Sequence, residues 1–445
     1  MLRISAPIWL PQKMNSKRLI VQLRSHLDQL PGKTRMTLVL WGGAALVGLI
    51  AVALALLADW SFSLFLTMKA HWFWWPVLSL PLGGMGIRWL MTRFGQGSEG
   101  SGIPQALAAL EDCRSSDGAN RLLSFRIVVA KFVGIVLGLG SGFVLGREGP
   151  TVQIGAATLY ACRHFVPGQH ESFRRHLIIA GGAAGIAAAF NTPLAGIVFA
   201  FEELSRSVDH NTSGRTIGAV ILAGIISLAI MGNYTYFGRI HVPGFSYLVL
   251  APMLLVAVCA GIIGGLFSWM CVHQTRWLPA SVLQLRRERP YIFIAACGLL
   301  IALCGMVLPI YGSGAHETSE LISGHASMGF LYLPLKFASL IATFVTGLPG
   351  GIFAPSLAMG AGLGNSLAPL FVPDMHIKII ALGMVAMLAA VTRAPITSSI
   401  IMIEMTDGHA MVISILGAAM IAAAVAGIFR THLYQDLAKK FISPH

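Results

Sequence analysis

Gly146-Arg147-Glu148-Gly149-Pro150 sets an ionisable pair between long apolar stretches, and the same spacing of glycine and proline returns in Gly351-Ile352-Phe353-Ala354-Pro355 with Phe353 in place of the acid. Charged side chains are costly in apolar surroundings and mark the places where ions are handled. A duplicated helix break of this kind reads as the centre of a membrane protein whose half-helices meet near mid-membrane.

The composition agrees. Of 445 residues, 56% are hydrophobic and 11% charged, with 49 glycines and a mean hydropathy of +0.74. Polar side chains are too few to cover a water-soluble globule, and the small residues suit close helix packing in a bilayer. Apolar runs fall at about 37–58, 62–92, 122–145, 151–166, 176–203, 216–236, 245–272, 291–311, 331–347, 352–372, 377–392 and 395–430. The first reads as a retained span rather than a cleaved leader. Several others are short or broken by Gly and Pro, which membrane depth tolerates only where the freed backbone is buried or faces a polar cavity.

The net charge of +13 is concentrated at a few places. Arg3, Lys13, Lys17, Arg18, Arg24, Lys33 and Arg35 stand against Asp28 alone; Arg276, Arg286, Arg287 and Arg289 form a second cluster, and Arg430, Lys439 and Lys440 a third. Positive loops face the cytoplasm, so both termini are expected there, with the basic side chains at the lipid surface rather than on nucleic acid. The six cysteines form no CxxC pair and have no histidine at metal spacing, so they read as packing residues; neither cofactor nor metal is expected.

The duplication extends beyond the two breaks. Gly181-Gly182-Ala183-Ala184-Gly185 leads to Asn191-Thr192-Pro193 and Glu202, and Gly383-Met384-Val385-Ala386 leads to Arg393-Ala394-Pro395 and Glu404. The offsets are 205 between the breaks and 202 between the prolines and between the acids. We divide the chain into a basic segment 1–36 with a short amphipathic helix near 16–30, a first membrane repeat 37–236, a second 237–430 and a tail 431–445. A substrate belongs between two such halves; the repeat alone leaves open whether they are parallel or inverted.

A third break, Gly100-Ser101-Gly102-Ile103-Pro104, precedes the helix-forming run to Glu111. Proline in the first turn leaves backbone N–H groups free and points the positive end of the helix dipole outward. Three such starts, with the Ser101 hydroxyl, can hold a desolvated anion weakly enough to release it.

Taken together, the segments 100–104, 146–155 and 351–355 resemble the three signature segments of the CLC chloride channel and transporter family, and Leu433-Tyr434-Gln435 lies where that family places a late tyrosine. The resemblance covers about 40 to 440. It implies an all-α polytopic fold of two inverted repeats built from short, tilted and broken helices, and a homodimer with one pathway per protomer in a bacterial inner membrane. Anions would be held by Ser101, Gly149, the backbone amides of Ile352 and Phe353, and Tyr434. Glu148 would be the gate, a carboxylate that competes with the anion and leaves on protonation; a structural ion pair with a lysine such as Lys131 is the alternative for this residue. Glu203 matches the position from which exchangers take cytoplasmic protons, where channels carry a non-acidic residue; a solvated helix-end carboxylate is its alternative. Glu202, paired with Glu404 by the repeat, suggests a shared structural role at helix ends. Gln105 and Leu107 depart from acids found in some members, and Ser101 favours chloride over nitrate.

The function implied is proton-coupled chloride antiport, with a passive voltage- or pH-gated chloride channel as the alternative. A membrane-embedded enzyme fails on the residues: in His316-Glu317-Thr318-Ser319-Glu320 the second histidine of a zinc-protease helix is Glu320, and His316 reads as a loop residue.

Overall fold

The computed structural model describes residues 29, 31–114, 116–166, 171–205, 210–232, 237–238, 247–324 and 328–442. The basic segment and its expected short helix fall almost wholly outside these residues, and the expected boundary at 236–237 adjoins residues 233–236, which also fall outside.

The first half runs α1 (Gly32–His71), α2 (Trp75–Phe94), α3 (Ile103–Glu111), α4 (Ser116–Leu122), α5 (Phe125–Ser141), α6 (Glu148–Ala161), α7 (Glu171–Phe190), α8 (Pro193–Phe199) and α9 (His210–Met231). The second runs α10 (Leu250–Val272), α11 (Gln274–Trp277), α12 (Ala280–Glu288), α13 (Pro290–Val307), α14 (Ala315–Ile322), α15 (Tyr332–Thr346), α16 (Phe353–Leu367), α17 (His376–Thr392), α18 (Pro395–Thr406), α19 (Val412–Ala426) and the tail helix α20 (Leu433–Ala438). Seven of the described helices are long and apolar enough to cross a membrane. Helices α6 and α16, with 14 and 15 residues, are too short for a simple span and lie buried at the centre.

Three expectations change. The runs 37–58 and 62–92 do not break at Asp59: α1 continues through it as one helix of 40 residues, roughly 60 Å long, which must lie tilted in a bilayer. Asp59 is tolerated because its Oδ1 accepts from Arg147 Nη1 at 2.7 Å. The run 395–430 is two helices, parted where Asp407 takes φ 53° and ends α18. His316 is in the first turn of α14, exposed, rather than in a loop.

The two halves interlock symmetrically. Helices α6 and α7 cross where Gly155 meets the Gly181 carbonyl, and α16 and α17 cross where Gly360 meets that of Gly383; a side chain at either crossing would drive the helices apart. Glu202, in the turn that follows α8, accepts from Ile396 N at 3.1 Å and Thr397 N at 2.6 Å at the start of α18. Glu404, in the last turn of α18, accepts from Leu194 N at 3.2 Å and Ala195 N at 2.8 Å at the start of α8. Each half caps a helix of the other, which satisfies orphan amides and places a carboxylate at the positive end of the dipole.

Candidate functional site

Three helix starts meet at one point. Gly146 and Gly351, just before α6 and α16, exchange two backbone hydrogen bonds as an isolated antiparallel bridge, 2.8 Å from Gly146 N to Gly351 O and 2.7 Å in return. Gly100, ahead of α3, joins them by accepting from Gly350 N at 3.1 Å. The sequence dictates this locally. Pro104, Pro150 and Pro355 hold helical φ in the first turn without needing a hydrogen bond there. The absence of side chains at Gly149 and Gly351 allows contact: a Cβ on Gly149 would stand 3.1 Å from Ser101 Cβ, and one on Gly351 3.0 Å from Gly149 N.

Each start presents first-turn N–H groups without intrahelical acceptors, among them the amides near Ile352 and Phe353. Ser101 Oγ accepts from Ile103 N at 3.3 Å, and among the described residues its own hydrogen goes to no acceptor. Tyr434, delivered by α20, is 2% exposed, and its hydroxyl has no hydrogen-bond partner among the described residues. Leaving a buried donor unpaired costs about 1–3 kcal/mol, a cost that a ligand would offset. Ser101, Ile352 and Tyr434 line one cavity of about 120 Å³, together with Gly100, Pro104 and Gln105. The structure therefore gathers Ser101, Gly149, Ile352, Phe353 and Tyr434 in one place.

The two expected proton groups are buried but line no part of that cavity. Glu148 is fully buried at the start of α6, with its carboxylate folded back against Gly146. Glu203 is 5% exposed and lies in the π-helical turn Ala200–Ser205 that follows α8, an irregularity that recurs at functional sites. The Phe353 ring joins these parts: its centroid lies 6.1 Å from that of Tyr434, 5.9 Å from that of Phe190 and 6.4 Å from that of Phe199, the last residue before the Glu203 turn.

Lys131 does not pair with Glu148. Fully buried, it donates from Nζ to Gly100 O at 3.2 Å and so braces the turn that presents Ser101. The second half repeats the device unannounced: Gly312-Ser313-Gly314 precedes α14, Ser313 Oγ accepts from Ala315 N at 3.3 Å, and buried Lys336 donates to Ile310 O at 2.7 Å and Gly312 O at 3.1 Å. The signal was present in the sequence, since Lys131 and Lys336 are cations set within apolar helices 205 positions apart. Gln105 donates its amide to the Glu99 carbonyl, which an ionised acid at this position could not do.

Known proteins match this chain over most of its length. The profile of a family described as voltage gated chloride channel matches residues 83–427. An H(+)/Cl(-) exchange transporter ClcA of Klebsiella pneumoniae subsp. pneumoniae is 32% identical over 426 residues, covering 89% of this chain and 87% of its own. The ClcA exchanger of Citrobacter koseri is 32% identical over 391 residues, covering 82% and 80%. The crystal structure of a slow cyanobacterial Cl-/H+ antiporter superposes with a TM-score of 0.74 at 26% identity, covering 91% of this chain and 98% of its own. A CLC-type fluoride/proton antiporter, at 22% identity and the same TM-score, shares the fold. With profile, relatives and helix starts in agreement, this all-α, multi-pass membrane chain of two inverted repeats belongs to the voltage-gated chloride channel family.

Proposed function

We propose that the chain exchanges chloride for protons across the membrane. The observation that carries this reading is the Tyr434 hydroxyl, a buried donor without a hydrogen-bond partner among the described residues, set in one cavity with Ser101 and the start of α16. Anions are held there by Ser101, Gly149, the amides of Ile352 and Phe353, and Tyr434. Partial charges and hydroxyls bind a halide without the full countercharge that would trap it. Glu148, on the first residue of α6, is the gate: its carboxylate competes for the positive helix ends as an anion would, and protonation releases it. Glu203, in the turn that follows Phe199, supplies the proton. The exchanger names of the relatives support the coupling, and an acid at 203 favours exchange over a passive channel. We place the protein in a bacterial inner membrane as a homodimer with both termini cytoplasmic, the last supported by the basic residues at both ends.

The test is Glu203→Gln in liposomes with chloride and proton fluxes followed separately. Chloride movement should persist while coupled proton movement disappears. Unchanged proton movement would remove Glu203 from the route.

A further inference from the structure

The cavity that ends at Ser101 and Tyr434 has a charged wall. Arg286 of α12 and Lys440 and Phe441 of the tail line it together with Glu99, and a wider cavity of about 400 Å³ shares Glu99, Lys440 and Phe441 and adds Arg121. Glu99, the one acid among the described lining residues, is engaged, since its carboxylate accepts from Gly97 N at 2.9 Å. Arg286 is held in place by donating to Gln274 Oε1 at 2.5 Å, with its guanidinium 6.0 Å from the Phe293 ring centroid. Lys440 is held weakly, its Nζ 3.5 Å from Val272 O. Among the described residues neither cation has a carboxylate within 4.0 Å. Burial first, and then the neighbouring Arg286 charge, lower the Lys440 pKa from the ordinary lysine value. The fold thus sets two like charges together at a cost that an anion between them would offset.

We propose that Arg286 and Lys440 form a capture site at the inner mouth that takes a small monovalent anion, chloride, from the tail side and passes it to Ser101 and Tyr434. This rests on the reading of Ser101 and Tyr434 as anion ligands. The narrow inner cavity suits a halide, and Glu99 keeps the net positive charge small enough for release. Electrostatic focusing of this kind raises local anion concentration and entry rate by about tenfold at low salt.

The test uses everted membrane vesicles, so that the tail side meets the varied chloride, at low ionic strength and at high ionic strength set with gluconate. The Arg286→Gln/Lys440→Gln variant should need about tenfold more chloride for half-maximal initial rate at low ionic strength, with the gap closing at high ionic strength. The maximal rate and the proton-to-chloride ratio should stay those of the parent, as should every property of the charge-keeping Arg286→Lys/Lys440→Arg variant. An unchanged half-saturation at low ionic strength, or a gap that persists in high salt, would overturn the proposal. Parent protein that shows no saturable chloride dependence would instead sink the reading of the anion site. If the double variant fails to fold, Lys440→Gln alone carries the test with a change of about threefold.

Discussion

Replacing Tyr434 with phenylalanine removes one hydroxyl and keeps the ring that packs 6.1 Å from Phe353. Two effects of opposite sign follow. In chloride-free protein the hydroxyl is a buried polar group without a partner among the described residues, so its removal should raise stability by about 1 kcal/mol. In chloride-loaded protein the phenol donates to a charged acceptor, a bond worth about 1.5–3 kcal/mol, so its loss should weaken chloride binding about 10- to 150-fold. Isothermal titration of the purified protein with chloride gives the affinity, and thermal unfolding with and without chloride gives both stabilities through the linkage between ligand binding and unfolding. A phenol serving only the fold would instead lower stability in both conditions and leave the affinity alone. Unchanged affinity, or reduced stability without chloride, would refute the assignment of Tyr434 as an anion ligand.

Other substitutions probe other parts of the site. Gly146→Ala places a Cβ against the Glu148 carboxylate, while its next neighbour, Pro355 Cδ, is 3.2 Å away; the flexible acid should yield, and proton coupling should drop several-fold in flux assays while chloride flux rises. Glu148→Gln should mimic the protonated gate, leaving anion flux that is independent of pH and no proton transport, and retained coupling would displace Glu148 from its role. Glu202→Ala removes the cap from Ile396 N and Thr397 N and should lower stability by about 1–2 kcal/mol, seen as a lower unfolding midpoint in detergent, with chloride affinity intact.

The helix starts were legible because proline and glycine act locally: Gly100–Pro104, Gly146–Pro150 and Gly351–Pro355 each write a helix start in five residues. That all three meet through the Gly146–Gly351 bridge depends on contacts across half the chain, which spacing alone does not display. The role of Glu202 and Glu404 was half legible: the equal offset marked a shared place at helix ends, but each carboxylate caps the other half, roughly two hundred residues away. Asp59 misled the reading of α1, since an acid in an apolar run signals a loop unless a distant arginine neutralises it, as Arg147 does. The turn at 312–314 and its lysine went unread for a different reason. Without a proline after the second glycine, Gly312-Ser313-Gly314 lacks the signal that drew attention to its counterpart, and only the lone Lys336 marked it.

The most direct measurement uses protein in liposomes loaded with chloride at equal internal and external pH, the membrane potential clamped at zero by potassium and valinomycin, and external pH followed after chloride is lowered outside. Protons should enter as chloride leaves and continue to do so against the pH gradient they create. Chloride efflux with no proton movement would contradict the account, making the protein a passive pathway and Glu203 a structural carboxylate.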